Sequence, residues 1–211
     1  MQTSEKQINE GLKTRLNSLK NGRKEFHKIW ISGGPGVGKT ALIHGLIGEL
    51  KWRDKTVEWI DEVIRDCPFP IDKGANFKTE MWVIEHQHYR EIQKLKHMPQ
   101  FLLCDRGMLD QAVYSTMLFD GKKMSEKEYN IILTTVLEWI KTYDFGIVVS
   151  PTDKEITKDG FRATEKNYQW ELHNYFLSVL DALGAEYIVI KGSHEERIKQ
   201  VVEHLKKKGL L

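Results

Sequence analysis

The sequence predicts an α/β protein in which a five-stranded parallel sheet carries helices on both faces. Five short apolar segments recur along the 211 residues, and longer segments with apolar residues at helical spacing separate them. A glycine-rich loop, Gly33 to Thr40, lies between the first strand and the first helix. Strands that alternate with helices pair in parallel, and such sheets bind ligands at the carboxyl ends of their strands. We therefore expect functional residues where the apolar segments stop.

The predicted elements follow one another without an internal repeat. Strands are predicted at 26–32, 56–60, 100–105, 144–150 and 186–191. Helices are predicted directly after the glycine-rich loop, briefly at 61–66, and then at 77–97, 107–119, 125–141, 164–184 and from 193 onward. An amphipathic helix at 4–21, within an N-terminal segment of residues 1–24, is expected to precede the first strand.

The glycine-rich loop fits the pattern G-x-x-x-x-G-K-[ST] and is predicted to bind the phosphates of a nucleotide. Its glycines let consecutive backbone N–H groups turn toward one anion, at the positive end of the following helix. We predict ATP and Mg²⁺ as cofactors, with Lys39 beside the β- and γ-phosphates and the Thr40 hydroxyl on the metal. The alternative is a glycine-rich turn that binds nothing. The predicted cofactor-binding residues are Gly34, Pro35, Gly36, Val37, Gly38, Lys39 and Thr40.

Asp105 ends the apolar segment 100–105 and is predicted to hold the Mg²⁺ ion together with Thr40. Its alternative role is to cap the helix that starts near Gly107. The next residue is Arg106, where hydrolytic motor ATPases have a glutamate that activates water. This difference favours transfer to a bound acceptor over hydrolysis.

Glu62 and Arg65 follow the second strand and are three residues apart, so that they share a helix face. We predict that Glu62 accepts the proton of an attacking hydroxyl and that Arg65 binds the acceptor or the transferring phosphate. Glu58 and Asp61 are alternatives for the base. An ordinary surface ion pair is the competing interpretation.

A polar segment at 151–163 is predicted to act as a lid over the phosphates, with Gly160 as its hinge. Arg162 would then neutralise charge on the transferred group, which places it with Lys39, Glu62 and Asp105 among the predicted catalytic residues. A solvated polar loop is the alternative. Gly192 and Ser193, after the last strand, are predicted either to form a wall of the base pocket or to be a simple turn.

Composition excludes several other classes of protein. The length fits one domain covering residues 1–211, and a net charge of +2 gives no argument for nucleic acid or an anionic membrane as an obligatory partner. No apolar stretch approaches the roughly 18 residues of a membrane span, and we expect a cytoplasmic protein without a membrane partner. The eight histidines show no zinc-binding pattern, and Cys67 and Cys104 have no metal spacing and are expected to be free thiols.

Taken together, these motifs resemble the AAA-like P-loop kinase family typified by the NadR ribosylnicotinamide kinase domain, and more distantly thymidylate and deoxynucleoside kinases. The resemblance covers about residues 26–205 and implies a nucleoside-kinase-like fold and ATP/Mg²⁺-dependent phosphoryl transfer. It also implies that Arg106 and Asp110 bind the substrate together with Glu62 and Arg65. The N-terminal helix and the tryptophan-rich stretch at 52–59 depart from the family pattern. The residues that carry the resemblance are the phosphate loop, Glu62, Arg65, Asp105, Arg106, Gly107, Asp110, Tyr114 and the segment 159–162.

These features predict an ATP-dependent kinase whose acceptor is a nucleoside, a nucleotide or a related small hydroxyl compound. A first alternative is a kinase acting on a polynucleotide, which requires a basic groove from Lys122 and Lys123 or from the tail 206–208. A second alternative is a nucleotide-gated switch or motor. The arginine after Asp105 and the lack of a second helical domain argue against the switch. The sequence leaves the oligomeric state open.

Overall fold

The computed structural model describes residues 26–151 and 166–211, and its centre is a five-stranded sheet in which every pairing is parallel. The strand order is β2-β3-β1-β4-β5. The five predicted strands are all present, which confirms the α/β class. Their bounds are β1 His27–Ser32, β2 Val57–Ile60, β3 Phe101–Asp105, β4 Phe145–Val149 and β5 Tyr187–Ile190.

Six α-helices lie in the described part of the chain, and their bounds agree with the predicted segments to within a few residues. They are α1 Lys39–Lys51, α2 Phe77–Leu95, α3 Met108–Asp120, α4 Glu126–Ile140, α5 Lys166–Ala182 and α6 His194–Lys207. The short helix predicted at 61–66 is a single 3₁₀ turn, Val63–Asp66, with Glu62 as its N-cap residue. The predicted N-terminal helix and residues 152–163 of the predicted lid lie outside the described residues.

Helices cover both faces of the sheet because the strand side chains alternate between two apolar layers. Ile29 and Ile31 of β1 point into the layer shared with α1 and α6, and Trp30 points into the layer shared with α2, α3 and α5. A third cluster of buried residues joins α2, α3 and α4. Burial on both faces is complete for β3 and β4, which explains why these two strands read as apolar runs, whereas the edge strands β2 and β5 are only partly buried. Among the described helices, none has both the length and the apolar character needed to cross a membrane.

The strand order brings together the carboxyl ends that carry chemistry. β3 lies between β1 and β2, and Ile31 pairs in register with Asp105. The phosphate loop, which starts directly after β1, is therefore adjacent to the end of β3. Glu62, two residues beyond β2, approaches from the other side of β3.

Candidate active site

The phosphate loop depends on glycine at both of its ends. Gly33 has a φ of 139°, and a Cβ there would lie 2.7 Å from the backbone oxygen of Val149. Gly38 has a φ of 92° and is the N-cap residue of α1. No side chain caps α1, and no acidic residue lies in its first turn. The backbone N–H groups and the positive dipole end of α1 are thus available to a phosphate.

The Lys39 ammonium lies across the loop and is buried. Its Nζ donates hydrogen bonds to the carbonyl oxygens of Gly33 at 3.0 Å and Gly34 at 2.9 Å. Burial, followed by the charge of Arg106, lowers the pKa of Lys39 to about 7, although nearby carboxylates oppose the shift. An anion placed against the loop would favour the charged form of this lysine.

Two side chains on helices that are distant in sequence donate hydrogen bonds to backbone oxygens of the phosphate loop. The sequence analysis predicted neither contact. Arg197 of α6 donates from Nη1 to the oxygen of Val37 at 2.6 Å and from Nη2 to the oxygen of Ser150 at 3.2 Å. Gln169 of α5 donates to the oxygen of Pro35 at 2.7 Å. No sequence signal marks these residues, because arginine and glutamine are common on helices. Their role depends on a contact that spans more than 130 residues.

Thr40 and Asp105, the two predicted metal ligands, are in contact, and Thr40 Oγ1 donates to Asp105 Oδ2 at 2.7 Å. Asp105 is buried, and its Oδ1 has no hydrogen-bond partner among the described residues. Burial raises the pKa of this carboxyl, although the Thr40 hydrogen bond and the charge of Lys39 act against the increase. A hydroxyl beside a carboxylate with an unpaired buried oxygen is a donor set that suits Mg²⁺.

The capping role considered for Asp105 belongs to another residue. Gly107 is the N-cap residue of α3, and its backbone N–H donates to Asp110 Oδ2 at 3.1 Å. Asp105 is therefore not needed to begin α3.

Arg106 is the centre of a buried charge network that joins β2, β3 and α3. Its Nε donates to Glu62 Oε1 at 2.7 Å, and its Nη1 donates to Asp110 Oδ1 at 3.0 Å and to the Tyr114 hydroxyl at 2.9 Å. The backbone of Arg106 has a φ of 69°, in the left-handed region that non-glycine residues rarely adopt. Such strain is maintained only where surrounding contacts fix it, and this network supplies those contacts.

Glu62 is shared between two arginines, because Arg65 Nε also donates to its Oε2 at 2.8 Å. Burial alone would raise the pKa of Glu62. The charges of Arg106 and Lys39, with the two arginine hydrogen bonds, outweigh burial and hold the pKa at about 2. Glu62 is therefore ionised at neutral pH and lies within electrostatic reach of the phosphate-loop lysine.

The two alternative carboxylates are placed differently. Glu58 binds Lys94 and His97 near the end of α2, which lowers its pKa, and Asp61 is exposed. Of these three acidic residues, only Glu62 contacts Arg106. Contact with Arg106 therefore distinguishes Glu62 from the other two carboxylates that the sequence offers as the base.

The structure places the remaining predicted residues at different depths. Asp110 is fully buried, and its oxygens also accept from Ser32 Oγ at 2.7 Å, so that it holds Arg106 in place rather than facing solvent. The Arg65 side chain is 57% exposed and contacts the site through its ion pair with Glu62.

Two other predicted elements lie apart from this network. Gly192 and Ser193 line a cleft beside α6, together with Ser150 and Trp170. Arg162 lies outside the described residues.

Several solved structures share this fold. A crystal structure of NadR protein in complex with NR has a TM-score of 0.69 at 16% sequence identity, covering 88% of this chain and 52% of that chain. Deoxyadenosine kinase from M. mycoides, with products dCMP and a flexible dCDP bound, has a TM-score of 0.62 at 16% identity, covering 85% of this chain and 99% of that chain. The chain thus spans about half the length of the NadR chain it matches. No curated protein matches it in sequence.

The family resemblance is confirmed by a family model as well as by these folds. The model of an AAA domain matches residues 28–197, from β1 into α6, and so includes the phosphate loop, Asp105 and the Arg106 network. The chain belongs to the AAA domain family, with the fold of P-loop kinases.

Proposed function

We propose that this chain is a kinase that transfers the terminal phosphoryl group of ATP to a hydroxyl of a nucleoside-type small molecule. The observation that carries the proposal is the position of Glu62. It is an ionised carboxylate held by Arg106 and Arg65, close enough to Lys39 for each charge to shift the pKa of the other. A carboxylate at that position can meet a hydroxyl that faces phosphates on the loop.

On the nucleotide side, the backbone N–H groups of the loop and Lys39 bind the phosphates, while Arg197 and Gln169 keep the loop rigid. Thr40 and Asp105 would hold a Mg²⁺ ion, which supplies positive charge to the phosphate oxygens.

On the acceptor side, Glu62 orients the attacking hydroxyl and takes its proton as the new O–P bond forms and the bond to the leaving nucleotide breaks. A carboxylate with a pKa of about 2 is a weak base. Phosphoryl transfer with a loose transition state depends mainly on positioning and electrostatics, so that a weak base is sufficient. Arg106 holds Glu62 in position.

The proposed acceptor is small because the basic tail does not extend the site. Lys206 and Lys207 end α6, and Lys208 forms an ion pair with Glu186, directly before β5. These lysines therefore lie at the amino ends of the strands, opposite the phosphate loop. Lys123 donates to the carbonyl oxygen of Lys73 at 3.0 Å. These contacts favour a nucleoside-sized acceptor over a polynucleotide.

The test measures transfer of labelled phosphate from ATP to panels of nucleosides, nucleotides and oligonucleotides. We expect a nucleoside or a close relative to accept phosphate, and Glu62→Gln to lower kcat by about 10²-fold or more. Asp61→Asn is the matched control, an exposed carboxylate one residue away, and it should keep kcat within about twofold of the wild type. Absence of acceptor-stimulated ATP consumption across all three panels would refute the kinase proposal. If Asp61→Asn lowered kcat and Glu62→Gln did not, Asp61 would be the base instead of Glu62.

A further inference from the structure

The outer side of α2 carries a row of exposed apolar side chains, the α2 row, formed by Tyr89, Ile92, Leu95 and Met98. Tyr89 is 62% exposed, Ile92 is 43% exposed and Leu95 is 38% exposed. Side chains three residues apart are neighbours on a helix surface, so that these three lie side by side. Met98 is 86% exposed and follows in the turn after α2, where its backbone N–H donates to the Leu95 oxygen at 3.0 Å. The four side chains are therefore contiguous.

The α2 row calls for an apolar partner. Its four side chains lie outside the three apolar clusters of the described fold. The charged residues between them already have partners, because Arg90 pairs with Asp66 and Lys94 pairs with Glu58. Single exposed apolar residues are ordinary on protein surfaces, whereas a contiguous group with polar neighbours is typical of a contact surface.

The chain that precedes the described residues enters the fold beside one end of this row. The described chain begins at Phe26, whose side chain packs on the apolar cluster to which α2 also contributes. The backbone N–H of His27 donates to the Gln100 oxygen at 2.7 Å, and Gln100 is two residues beyond Met98. From the residue spacing of an extended chain and the distance between paired strands, Phe26 lies within roughly 17 Å of Met98.

The N-terminal segment has an apolar stripe that matches the α2 row. Within the amphipathic helix expected at 4–21, four apolar residues recur at spacings of four, four and three, which places them on one helix face. Together they form the N-terminal stripe: Ile8, Leu12, Leu16 and Leu19. At a rise of 1.5 Å per residue the stripe is about 17 Å long, and the helical part of the α2 row is about 9 Å long. The chain from Leu19 to Phe26 can extend to about 23 Å, which is enough to bring Leu19 to Met98.

We propose that the α2 row is the docking surface of the chain's own N-terminal helix, with the N-terminal stripe packed on it and Leu19 at the Met98 end. A second copy of the chain fits less well, because a standard interface uses roughly 20–30 residues on each partner, more than this row supplies. A tethered segment needs less contact area, because its tether keeps it at an effective concentration on the order of millimolar. The inference does not depend on the proposed kinase activity.

The test measures hydrogen exchange of backbone amides in the 211-residue chain by mass spectrometry. We expect the amides of residues 12–19 to exchange about tenfold or more slowly than those of a free peptide with the same sequence. Ile92→Asp puts a charge in the middle of the α2 row and should remove this protection. The matched control is Ile131→Asp on α4, because Ile131 is 41% exposed and lies outside the row. The control should keep the exchange rates of residues 12–19 within about twofold of the wild type.

Leu16→Asp is the reciprocal variant, in the N-terminal stripe. It should remove the protection of residues 12–19 and raise exchange in the last turns of α2, whereas β1 and β3 should exchange as in the wild type. Exchange in β1 and β3 reports whether the fold is intact. Leu16→Asp also decides the question if Ile92→Asp disturbs α2 itself, because its charge is not placed in α2.

Two results would overturn the docking proposal at once. They are fast exchange throughout residues 4–21 of the wild type, and equal losses of protection with Ile92→Asp and Ile131→Asp. Light scattering at several protein concentrations tests the other occupant. Protection that disappears on dilution, together with a fall in mass from two chains to one, would identify a second copy on the α2 row and would overturn the proposal as well.

Discussion

At the residue scale, burial changes what each ionisable group can do. Lys39, Asp105 and Glu62 lie within one electrostatic cluster, yet their pKa values shift differently. Burial dominates for Lys39 and Asp105 and favours their neutral forms, whereas Arg106, Lys39 and Arg65 keep Glu62 ionised. Each shift therefore follows from the balance between desolvation and neighbouring charge.

Replacing Lys39 by alanine should lower kcat by about 10²-fold or more, because we propose that its ammonium stabilises charge on the transferring phosphate. The fold should survive, since the hydrogen bonds that Lys39 makes are with two carbonyl oxygens of the loop. Steady-state kinetics and a circular dichroism melting curve check both statements. Wild-type turnover in a folded Lys39→Ala protein would contradict the assignment.

Replacing Asp105 by asparagine should raise the Mg²⁺ concentration needed for half-maximal activity by about tenfold or more, because the amide carries no charge for the ion. The melting temperature should not fall. Burial already opposes charge at this position, and an asparagine oxygen can still accept from Thr40. A magnesium titration with a melting curve tests this pair of outcomes. An unchanged magnesium response with lowered stability would indicate a structural role.

At the scale of elements, the buried carboxylate of Glu91 links α2 to β1 and α4. It accepts from Lys28 Nζ of β1 at 2.6 Å and from Trp139 Nε1 of α4 at 2.7 Å, and it also accepts from Gln87 and Tyr143. The Tyr143 hydroxyl in turn accepts from the backbone N–H of Met108 at 3.2 Å, at the start of α3. The helices that frame the acceptor side thus share one hydrogen-bond network.

Replacing Glu91 by alanine should reduce the free energy of unfolding by about 3–5 kcal/mol, because it leaves the Lys28 ammonium buried and unpaired. The matched control is Glu138→Ala on α4, which removes an exposed ion pair with Lys141 and should cost less than about 1 kcal/mol. Urea denaturation of the three proteins measures both values. If both variants lost a similarly small free energy of unfolding, the buried network would not be what anchors α2.

At the scale of the whole molecule, the site is assembled where parallel strands end together, and its charge is not balanced for a polyphosphate. Lys39, Arg106 and the Arg65 side chain bound to Glu62 contribute positive charge there, and the carboxyl groups of Glu62, Asp105 and Asp110 oppose it. A nucleotide brings further negative charge. We propose that Mg²⁺ and a basic residue from elsewhere in the chain offset this charge, and the sequence suggests Arg162 for that role.

Replacing Arg162 by alanine should lower kcat by about 10²-fold or more and change nucleotide affinity by less than about threefold, if its interaction belongs to the transition state. Lys158→Ala, in the same sequence segment, is the control and should leave kcat nearly unchanged. ATP consumption with and without acceptor gives kcat, and a nucleotide titration gives the affinity. A rate equal to that of the wild type would remove Arg162 from the site, and acceptor-independent turnover would favour the switch.

The sequence alone determined the features that are local. The phosphate loop could be predicted because its glycines, lysine and threonine are consecutive and because Gly33 and Gly38 adopt backbone angles that few other residues accept. The strands β3 and β4 could be predicted because burial on both faces makes them apolar runs, and Asp105 could be singled out because it is the charged residue that ends β3.

Only the tertiary structure decided the features that depend on distant contacts. Glu58, Asp61 and Glu62 are near neighbours in sequence, and Glu62 is distinguished by Arg106, which lies 44 residues away. Arg197 reaches the phosphate loop across 160 residues, and nothing in its own sequence neighbourhood predicts that contact. The burial of Glu80, in the first turn of α2, likewise depends on how α2 packs against its neighbours. The pKa and the hydrogen-bond partners of a side chain depend on the groups that lie near it in space. At this site many of those groups come from segments far away in the sequence, and they come together only when the sheet forms.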